Sequence, residues 1–231
     1  MENTPYKVIM IDENTWRIEE NEMVRCFLFA GTEKAMLVDT GFGTGDLKTV
    51  VTGLTDLPIM LVNTHADPDH TGGNASFGTA HMHPSEFANY ATHAEDSGNV
   101  RPLWEGDVID IGGRSFEIVL IPGHTPGSIA FLDRENRIIV SGDSVTSSPI
   151  FMFGPFRNLP GYIPTLEKLE AMSGAFDTLY PSHGGFPLGT EEIAAQREAA
   201  IRLLAGELDP QEPGRDIPAK LYSYGSAAFF K

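Results

Sequence analysis

The chain has 231 residues, of which 41% are hydrophobic, and this composition is sufficient for a large core. Its 32 acidic and 16 basic side chains give a formal net charge of −16. A field of that sign repels phosphate backbones, which excludes a general nucleic-acid-binding protein. A single cysteine, Cys26, excludes an intramolecular disulfide framework. It lies within the apolar run Met23–Ala30, where we expect a buried structural thiol.

Apolar runs separated by turn residues predict many short strands interleaved with helices. In chain order the predicted strands are Tyr6–Ile11, Thr15–Ile18, Met23–Ala30, Ala35–Val38, Ile59–Asn63, Thr79–Met82, Val108–Ile111, Ser115–Ile121, Ser128–Leu132, Arg137–Val140, Asp177–Tyr180 and one or two closing strands in Ala219–Phe230. The predicted helices are Asp46–Leu54, Pro84–His93, Pro164–Ser173 and Glu191–Gly206. This order favours two packed sheets covered by helices on the outside. Because no linker divides the chain, a single domain over residues 1–231 is predicted.

The N-terminal stretch Met1–Glu20 alternates polar and apolar residues. It lacks the basic start and apolar segment of a secretory signal. No apolar run in the sequence approaches the length that spans a bilayer. We therefore expect a protein of the cytoplasm with no membrane partner.

The segment after the predicted strand Ile59–Asn63 concentrates side chains that bind metals. Its sequence, Thr-His-Ala-Asp-Pro-Asp-His-Thr-Gly-Gly, places His65, Asp67, Asp69 and His70 close together. Neutral imidazoles and carboxylates are the ligands of divalent first-row metals. Because four such groups on a loop hardly serve an apolar core, the segment indicates a metal site.

Three further candidate ligands follow predicted strands. His124 stands in a Pro-Gly-His-Thr-Pro-Gly-Ser loop, Asp143 in a Ser-Gly-Asp turn, and His183 in a Pro-Ser-His-Gly turn. Strand ends hold side chains rigidly, and neighbouring glycines let a metal and a substrate approach the backbone. A lone loop histidine is usually an ordinary polar residue. Here the His65–His70 segment, His124, Asp143 and His183 each follow a predicted strand, and this repeated placement favours one metal site.

This series of motifs resembles the metallo-β-lactamase-fold hydrolases, whose signature is H-x-H-x-D-H. One position departs from the signature, because Asp67 replaces its second histidine. The resemblance runs roughly from Val24 to His183 and includes the Val-Asp-Thr-Gly turn at residues 38–41. It implies an α/β fold of the αββα sandwich type, with two mixed β-sheets flanked by helices and a two-metal site at one edge of the sheets.

The resemblance also implies a role for each candidate ligand. The first divalent metal ion would be held by His65, Asp67 and His124, the second by Asp69, His70 and His183, and Asp143 would bridge the two. Asp39 would orient a ligand histidine from outside the coordination sphere. A metal-bridging hydroxide would be the nucleophile, and Asp69 would act catalytically by orienting it.

Asp67 changes the expected electrostatics of that centre. Two divalent ions, three aspartates and a hydroxide are formally neutral together, whereas the usual histidine would leave one positive charge. A less positive centre acidifies its bound water less, and a carboxylate suits iron or manganese better than imidazole does. We therefore expect zinc, with iron or manganese as alternatives. Flavodiiron oxidoreductases of the same superfamily carry a glutamate here. The other interpretation of Asp67 is a loop residue that only caps backbone amides.

A loop rich in aromatic residues is predicted for the segment Pro149–Tyr162. Such a loop could form a wall of the active site and, with two aromatic residues elsewhere, favour a substrate with an apolar portion. The candidate substrate-pocket residues are Phe42, Trp104, Phe151, Phe153, Phe156 and Tyr162. The alternative is that these rings close the edge of the sandwich.

Together these features predict a dinuclear metal-dependent hydrolase of a small-molecule thioester, lactone, amide or phosphoester, with acyl substrates favoured. The acidic composition argues against a nucleic-acid phosphodiesterase. The segment after His183 has more acids than bases, unlike the basic helical extension expected of a glyoxalase II type thioesterase. No export signal supports a secreted β-lactamase. The remaining alternatives are a non-haem iron oxidoreductase, flavodiiron-like or a sulfur dioxygenase, and a metal-binding protein with degenerate activity.

Overall fold

The computed structural model describes residues 4–94 and 98–231. The described residues divide into two compact units, one within Met1–Ile118 and the other within Val119–Lys231. Residues 1–3 lie outside the described residues. They belong to the N-terminal stretch in which no secretory signal is predicted. Within the described part of the chain, every helix falls short of the length and apolar character that a bilayer-spanning helix needs.

The first unit contains a mixed sheet of seven strands that lie side by side in chain order. The strands are β1 (Tyr6–Asp12), β2 (Thr15–Glu20), β3 (Val24–Ala30), β4 (Ala35–Val38), β5 (Ile59–Val62), β6 (Ala80–Met82) and β7 (Val100–Pro102). β1 to β4 pair antiparallel, and β4 to β7 pair parallel. The α-helices in its connections are α1 (Leu47–Thr52), α2 (Pro68–Thr71) and α3 (Phe87–Tyr90).

The core of the first unit forms around β3. This strand is buried along nearly its whole length, as is typical of a strand with apolar side chains on both faces. Leu28 and Leu37 from the sheet pack in one cluster with Leu47 and Val51 of α1. Burial of each such side chain stabilises the fold by about 1.5–3 kcal/mol. Cys26 belongs to the same cluster, which confirms the predicted buried thiol.

Parallel pairing of β4 with β5 brings the polar residues that follow these two strands to the same edge of the sheet. Val38 is in register with Val62, so that the next residues, Asp39 and Asn63, leave the sheet at the same edge. The Asp39 amide still donates to the Val62 carbonyl at 2.9 Å. Because the carboxyl ends of parallel strands meet at one edge, this edge collects functional side chains.

A six-stranded sheet in the order β14-β13-β11-β10-β9-β8 includes the strands of the second unit that carry candidate ligands. Its strands are β8 (Val108–Asp110), β9 (Ser115–Leu120), β10 (Ile129–Asp133), β11 (Ile138–Gly142), β13 (Thr178–Pro181) and β14 (Leu188–Gly189), with β9 crossing the boundary between the units. β11 and β13 are parallel, with Val140 opposite Tyr180. Asp143 and His183 therefore follow strands that end at the same edge.

The rest of the second unit consists of a small sheet and two long helices. The sheet has the order β12-β16-β15 and comprises β12 (Ile150–Phe151), β15 (Leu221–Tyr224) and β16 (Ala227–Phe230). The helices are α4 (Leu159–Ala171) and α5 (Glu191–Ala205). Side chains of both helices, among them Leu166 and Ala199, join one core cluster with Val119 and Phe229.

The predicted start of the helix Pro164–Ser173 is wrong. α4 begins at Leu159, because the Asn158 side chain caps it by accepting a hydrogen bond from the Gly161 amide at 3.0 Å. Pro164 consequently lies inside the helix. The predicted loop Pro149–Tyr162 is also wrong in part, since it contains β12 and the first turn of α4.

The predicted helix Pro84–His93 is too long. The segment forms a 3-10 turn, Pro84–Glu86, followed by α3, which ends at Tyr90. Just beyond that end, the Thr92 hydroxyl donates to the Asn89 carbonyl at 2.7 Å and replaces a helical partner. His93 therefore does not lie at a helix terminus.

Candidate metal centre

The segment that contains His65, Asp67, Asp69 and His70 follows the end of β5 and forms one helical turn, α2. Pro68 occupies the first turn of α2, which its fixed φ favours, and Asp67 stands at the N-cap position. Asp69 and His70 lie on this turn. His65 and His70 are both buried, and their ring centroids are 4.0 Å apart. The sequence reading of a plain loop missed α2.

Asp39 organises both histidines of the segment. Its Oδ2 lies 2.8 Å from His70 Nδ1 and accepts a hydrogen bond from the Thr64 hydroxyl at 2.7 Å. The Thr64 oxygen in turn lies 3.0 Å from His65 Nδ1. Since the hydroxyl proton is donated to Asp39, His65 must donate its Nδ1 proton to the hydroxyl. These partners assign the proton to Nδ1 of both imidazoles and leave each Nε2 lone pair available to a metal.

Carboxylates of the same segment face these Nε2 atoms. Asp67 Oδ2 lies 3.5 Å from His65 Nε2, and Asp69 Oδ2 lies 3.8 Å from His70 Nε2. Donors about 2.0–2.2 Å from one ion stand roughly 3–4 Å apart, so both pairs have the spacing of ligands to a metal. The side chain of Asp67 makes no capping hydrogen bond to α2. Its Oδ1 instead accepts a hydrogen bond from Asn89 at 3.1 Å.

The candidate ligands of the second unit converge on Asp143. His124 Nε2 lies 3.7 Å from Asp143 Oδ2, and His183 Nε2 lies 3.4 Å from Asp143 Oδ1. His124 Nδ1 lies 3.1 Å from the Phe151 carbonyl, so this ring too can keep its proton on Nδ1. The two carboxylate oxygens thus face different histidines, which is the arrangement that a bridging carboxylate requires.

The donor set of each unit fits divalent metal ions. All donors are imidazole nitrogens or carboxylate oxygens, which suit zinc, iron and manganese. The one thiol in the sequence, Cys26, is fully buried in β3, and burial raises its pKa well above the ordinary value. We therefore do not place this thiol among the candidate ligands.

Two exposed aromatic residues of the first unit are held by contacts of different kinds, a backbone hydrogen bond and a ring contact. Phe42 and Trp104 are 39% and 53% exposed. The Phe42 amide donates to the buried Glu20 carboxylate at 2.6 Å. The Trp104 ring stands edge-on to His83, with centroids 5.4 Å apart. Burial lowers the pKa of His83, so the group beside Trp104 tends to be neutral.

The aromatic residues of the second unit are not all accessible. The rings of Phe151 and Phe153 are tilted by 33° with centroids 5.6 Å apart, and Phe156 is exposed. Tyr162 lies on the buried face of α4, and its hydroxyl donates a hydrogen bond to Gln196 Oε1 at 2.9 Å. Its place in the predicted substrate wall is therefore not supported, because the first turn of α4 directs it into the core.

Sequence reasoning did not single out several residues that hold the metal-binding segment or the loop that precedes it. These are Glu20, Thr64, Glu86 and Asn89. Thr64 adjoins the motif, but the other three come from β2, the 3-10 turn and α3. Their spacing in the sequence carries no signal, because only the fold brings them to the segment.

The fold is shared with solved metallo-β-lactamases. One from Pontibacter korlensis matches with a TM-score of 0.72 at 17% identity, over 85% of this chain and 99% of that one. FIM-1 from Pseudomonas aeruginosa, solved in a mono-zinc form, matches with a TM-score of 0.70 at 17% identity, over 88% of this chain and 98% of that one. The predicted α/β fold with mixed sheets flanked by helices is confirmed.

The family model of the metallo-beta-lactamase superfamily matches residues 21–209. Acyl-coenzyme A thioesterase MBLAC2 of Gallus gallus is 27% identical over an aligned length of 204, and the match covers 71% of this chain and 74% of that protein. The chain belongs to the metallo-beta-lactamase superfamily. The predictions of the family and of a hydrolase are confirmed.

Proposed function

We propose that the chain is a dinuclear metal-dependent hydrolase of small-molecule acyl thioesters. The observation that carries the proposal is the donor set: each unit presents imidazole Nε2 atoms within 3.4–3.8 Å of carboxylate oxygens. The family resemblance supports the grouping of the ligands. His65, Asp67 and His124 would hold one ion, Asp69, His70 and His183 the other, with Asp143 shared.

The residues of the chain have distinct tasks in such a reaction. Divalent ions, when bound, supply the acidification of water and the polarisation of the substrate carbonyl. Asp39 orients His70 directly and His65 through Thr64, which keeps both Nε2 atoms unprotonated. Asp69, on the exposed side of α2, can accept a proton from the attacking water and orient it.

Two observations support an acyl thioester as substrate. The matching relative from Gallus gallus is named an acyl-coenzyme A thioesterase, although at 27% identity this supports only the bond type. Phe42 and Trp104 expose apolar rings, which favours a substrate with an apolar acyl portion. Residence in the cytoplasm stays a prediction.

Zinc is the proposed metal, and Asp67 keeps iron and manganese as alternatives. The mono-zinc form of the structural neighbour FIM-1 supports zinc. The carboxylate of Asp67 is a harder ligand than imidazole and suits iron or manganese. We expect zinc accompanied by iron or manganese in metal analysis after expression with all three ions supplied together, and two equivalents of zinc alone would contradict that mixed content.

Hydrolysis by protein stripped of metal and reloaded with zinc, iron(II) or manganese tests the function. We expect metal-dependent release of thiol from acyl thioesters, faster than hydrolysis of lactones, β-lactams or phosphodiesters. Asp69→Asn should lower kcat by about 10²–10⁴-fold because the proton acceptor is lost. Asp56→Asn, in the loop between α1 and β5, is the matched control. Loaded protein that hydrolyses no thioester, or that consumes oxygen with iron, would overturn the proposal.

A further inference from the structure

The metal-binding segment of the first unit is held by the two turns formed by residues 84–90. Glu86 is fully buried, and its Oε2 accepts a hydrogen bond from the Ala66 amide at 2.8 Å. Three residues further on, the buried Asn89 donates from Nδ2 to Asp67 Oδ1 at 3.1 Å. One contact fixes the backbone immediately before Asp67, and the other fixes its carboxylate.

These two turns are themselves anchored in the core of the first unit. Tyr90, next to Asn89, is buried in the core cluster, and Phe87 packs against the same cluster. At the other end, His83 Nδ1 accepts a hydrogen bond from the Ser85 amide at 3.3 Å. The position of the Asn89 amide is therefore set by core packing rather than by the metal site.

The Asn89 contact makes the two oxygens of Asp67 unequal. Oδ1 receives the amide proton, while Oδ2 lies 3.5 Å from His65 Nε2. A carboxylate without such a partner can rotate or bind an ion through both oxygens. A neutral amide stabilises the anion without adding positive charge, whereas a lysine or arginine at this place would compete with the metal.

We propose that Asn89 is a positioning residue that makes Asp67 a monodentate metal ligand through Oδ2. An aspartate is shorter than the histidine that it replaces, so its backbone and its carboxylate both need to be fixed in place. Glu86 fixes the backbone through the Ala66 amide, and Asn89 fixes the carboxylate. The inference rests on the proposed function in one respect, since it requires a metal at this site.

Metal affinity of the full chain, measured by competition with a chromophoric zinc chelator, tests the role of Asn89. Loss of an outer-shell partner typically weakens metal binding 10–100-fold, and we expect a loss of that size in Asn89→Ala. Asn89→Asp keeps the shape but removes the donor and adds a charge, so its loss should be at least as large. Asn99→Ala is the control, because Asn99 accepts a hydrogen bond from Thr79 elsewhere in the first unit.

A double-mutant cycle with Asp67→Ala decides whether Asn89 acts through Asp67. We expect Asn89→Ala to have no further effect on zinc affinity when Asp67 is already alanine. Thermal unfolding of the metal-free variants verifies that each is folded. Unchanged affinity in Asn89→Ala, or an equal loss in both backgrounds, would overturn the inference.

The same measurements separate this inference from the proposed function. A wild-type protein that binds zinc with the expected coupling, yet hydrolyses no thioester, would leave the role of Asn89 intact and overturn the function. A wild-type protein that binds no metal would overturn both.

Discussion

The loop that precedes the metal-binding segment is fixed by one buried carboxylate. Glu20, at the end of β2, accepts hydrogen bonds from the Phe42 amide at 2.6 Å and the Thr44 amide at 2.7 Å. It also accepts from the Thr44 hydroxyl. Gly41 is required beside it, because a Cβ there would lie 2.0 Å from Glu20 Oε2 and the backbone has a φ of +67°.

Replacement of Glu20 by glutamine should destabilise the protein by about 1–3 kcal/mol. One of its two acceptor oxygens becomes an amide donor, which leaves a buried N–H group without its partner. Chemical denaturation measures the free energy of unfolding. Glu13→Gln, at an exposed turn, should change it by less than about 0.5 kcal/mol. Equal effects of the two substitutions would contradict this account of the loop.

The identity of the metal-binding residues could be predicted from sequence because their chemistry is local. His65, Asp69 and His70 stand in a short motif, and Asp39 was assigned only through the family resemblance. Asn89 could not be predicted, because an asparagine on a one-turn helix looks like any surface amide. Its contact with Asp67 depends on where α3 packs, which no spacing in the sequence encodes.

Two glycine-containing turns of the first unit approach each other backbone to backbone. A Cβ on Gly72 would lie 2.2 Å from the Phe42 carbonyl oxygen, and one on Gly43 would lie 2.4 Å from the Gly72 oxygen. The Gly72 amide donates to the Gly41 carbonyl at 2.9 Å. This approach fixes the end of α2, which carries Asp69 and His70.

Gly72→Ala tests that approach without backbone strain, because Gly72 has a φ of −59°. The added methyl group must separate the two turns, so we expect a stability loss of about 1–3 kcal/mol and weaker zinc binding. Gly174→Ala is the control, since a Cβ there would meet no described atom within 4 Å beyond its own stretch of backbone. Urea denaturation and chelator competition give both quantities. An unchanged zinc affinity would mean that α2 does not depend on this contact.

Strands were easier to predict than helix boundaries. Apolar runs such as Ala35–Val38 and Ile59–Val62 are bounded by turn residues, and their burial follows from their apolar composition. The start of α4 was misplaced because Pro164 suggests a first turn, whereas the Asn158 cap determines it. The end of α3 depends on a side-chain hydrogen bond by Thr92, which competes with the helix.

Several buried weak acids stay protonated to a higher pH in the folded protein than in the unfolded chain. Burial raises the pKa of Cys26 and Tyr162 well above their ordinary values, and it raises the pKa of Tyr6 to about 12, with Glu20 adding to the effect. In the unfolded chain these groups ionise near pH 9–10. Between the unfolded and folded pKa values the native state therefore binds more protons than the unfolded state, and stability falls as pH rises.

The thiol should give the earliest part of this alkaline loss. Each such group lowers the free energy of unfolding by about 1.4 kcal/mol per pH unit above its unfolded pKa. Denaturation of wild type and Cys26→Ala between pH 8 and 10 measures the slope. The alanine variant should start less stable because of the cavity, yet lose less stability per pH unit. High salt separates this effect from repulsion within a chain of net charge −16, since salt screens exposed charges but leaves a buried thiol unaffected. Equal slopes for the two proteins in high salt would mean that the thiol does not control the alkaline limit.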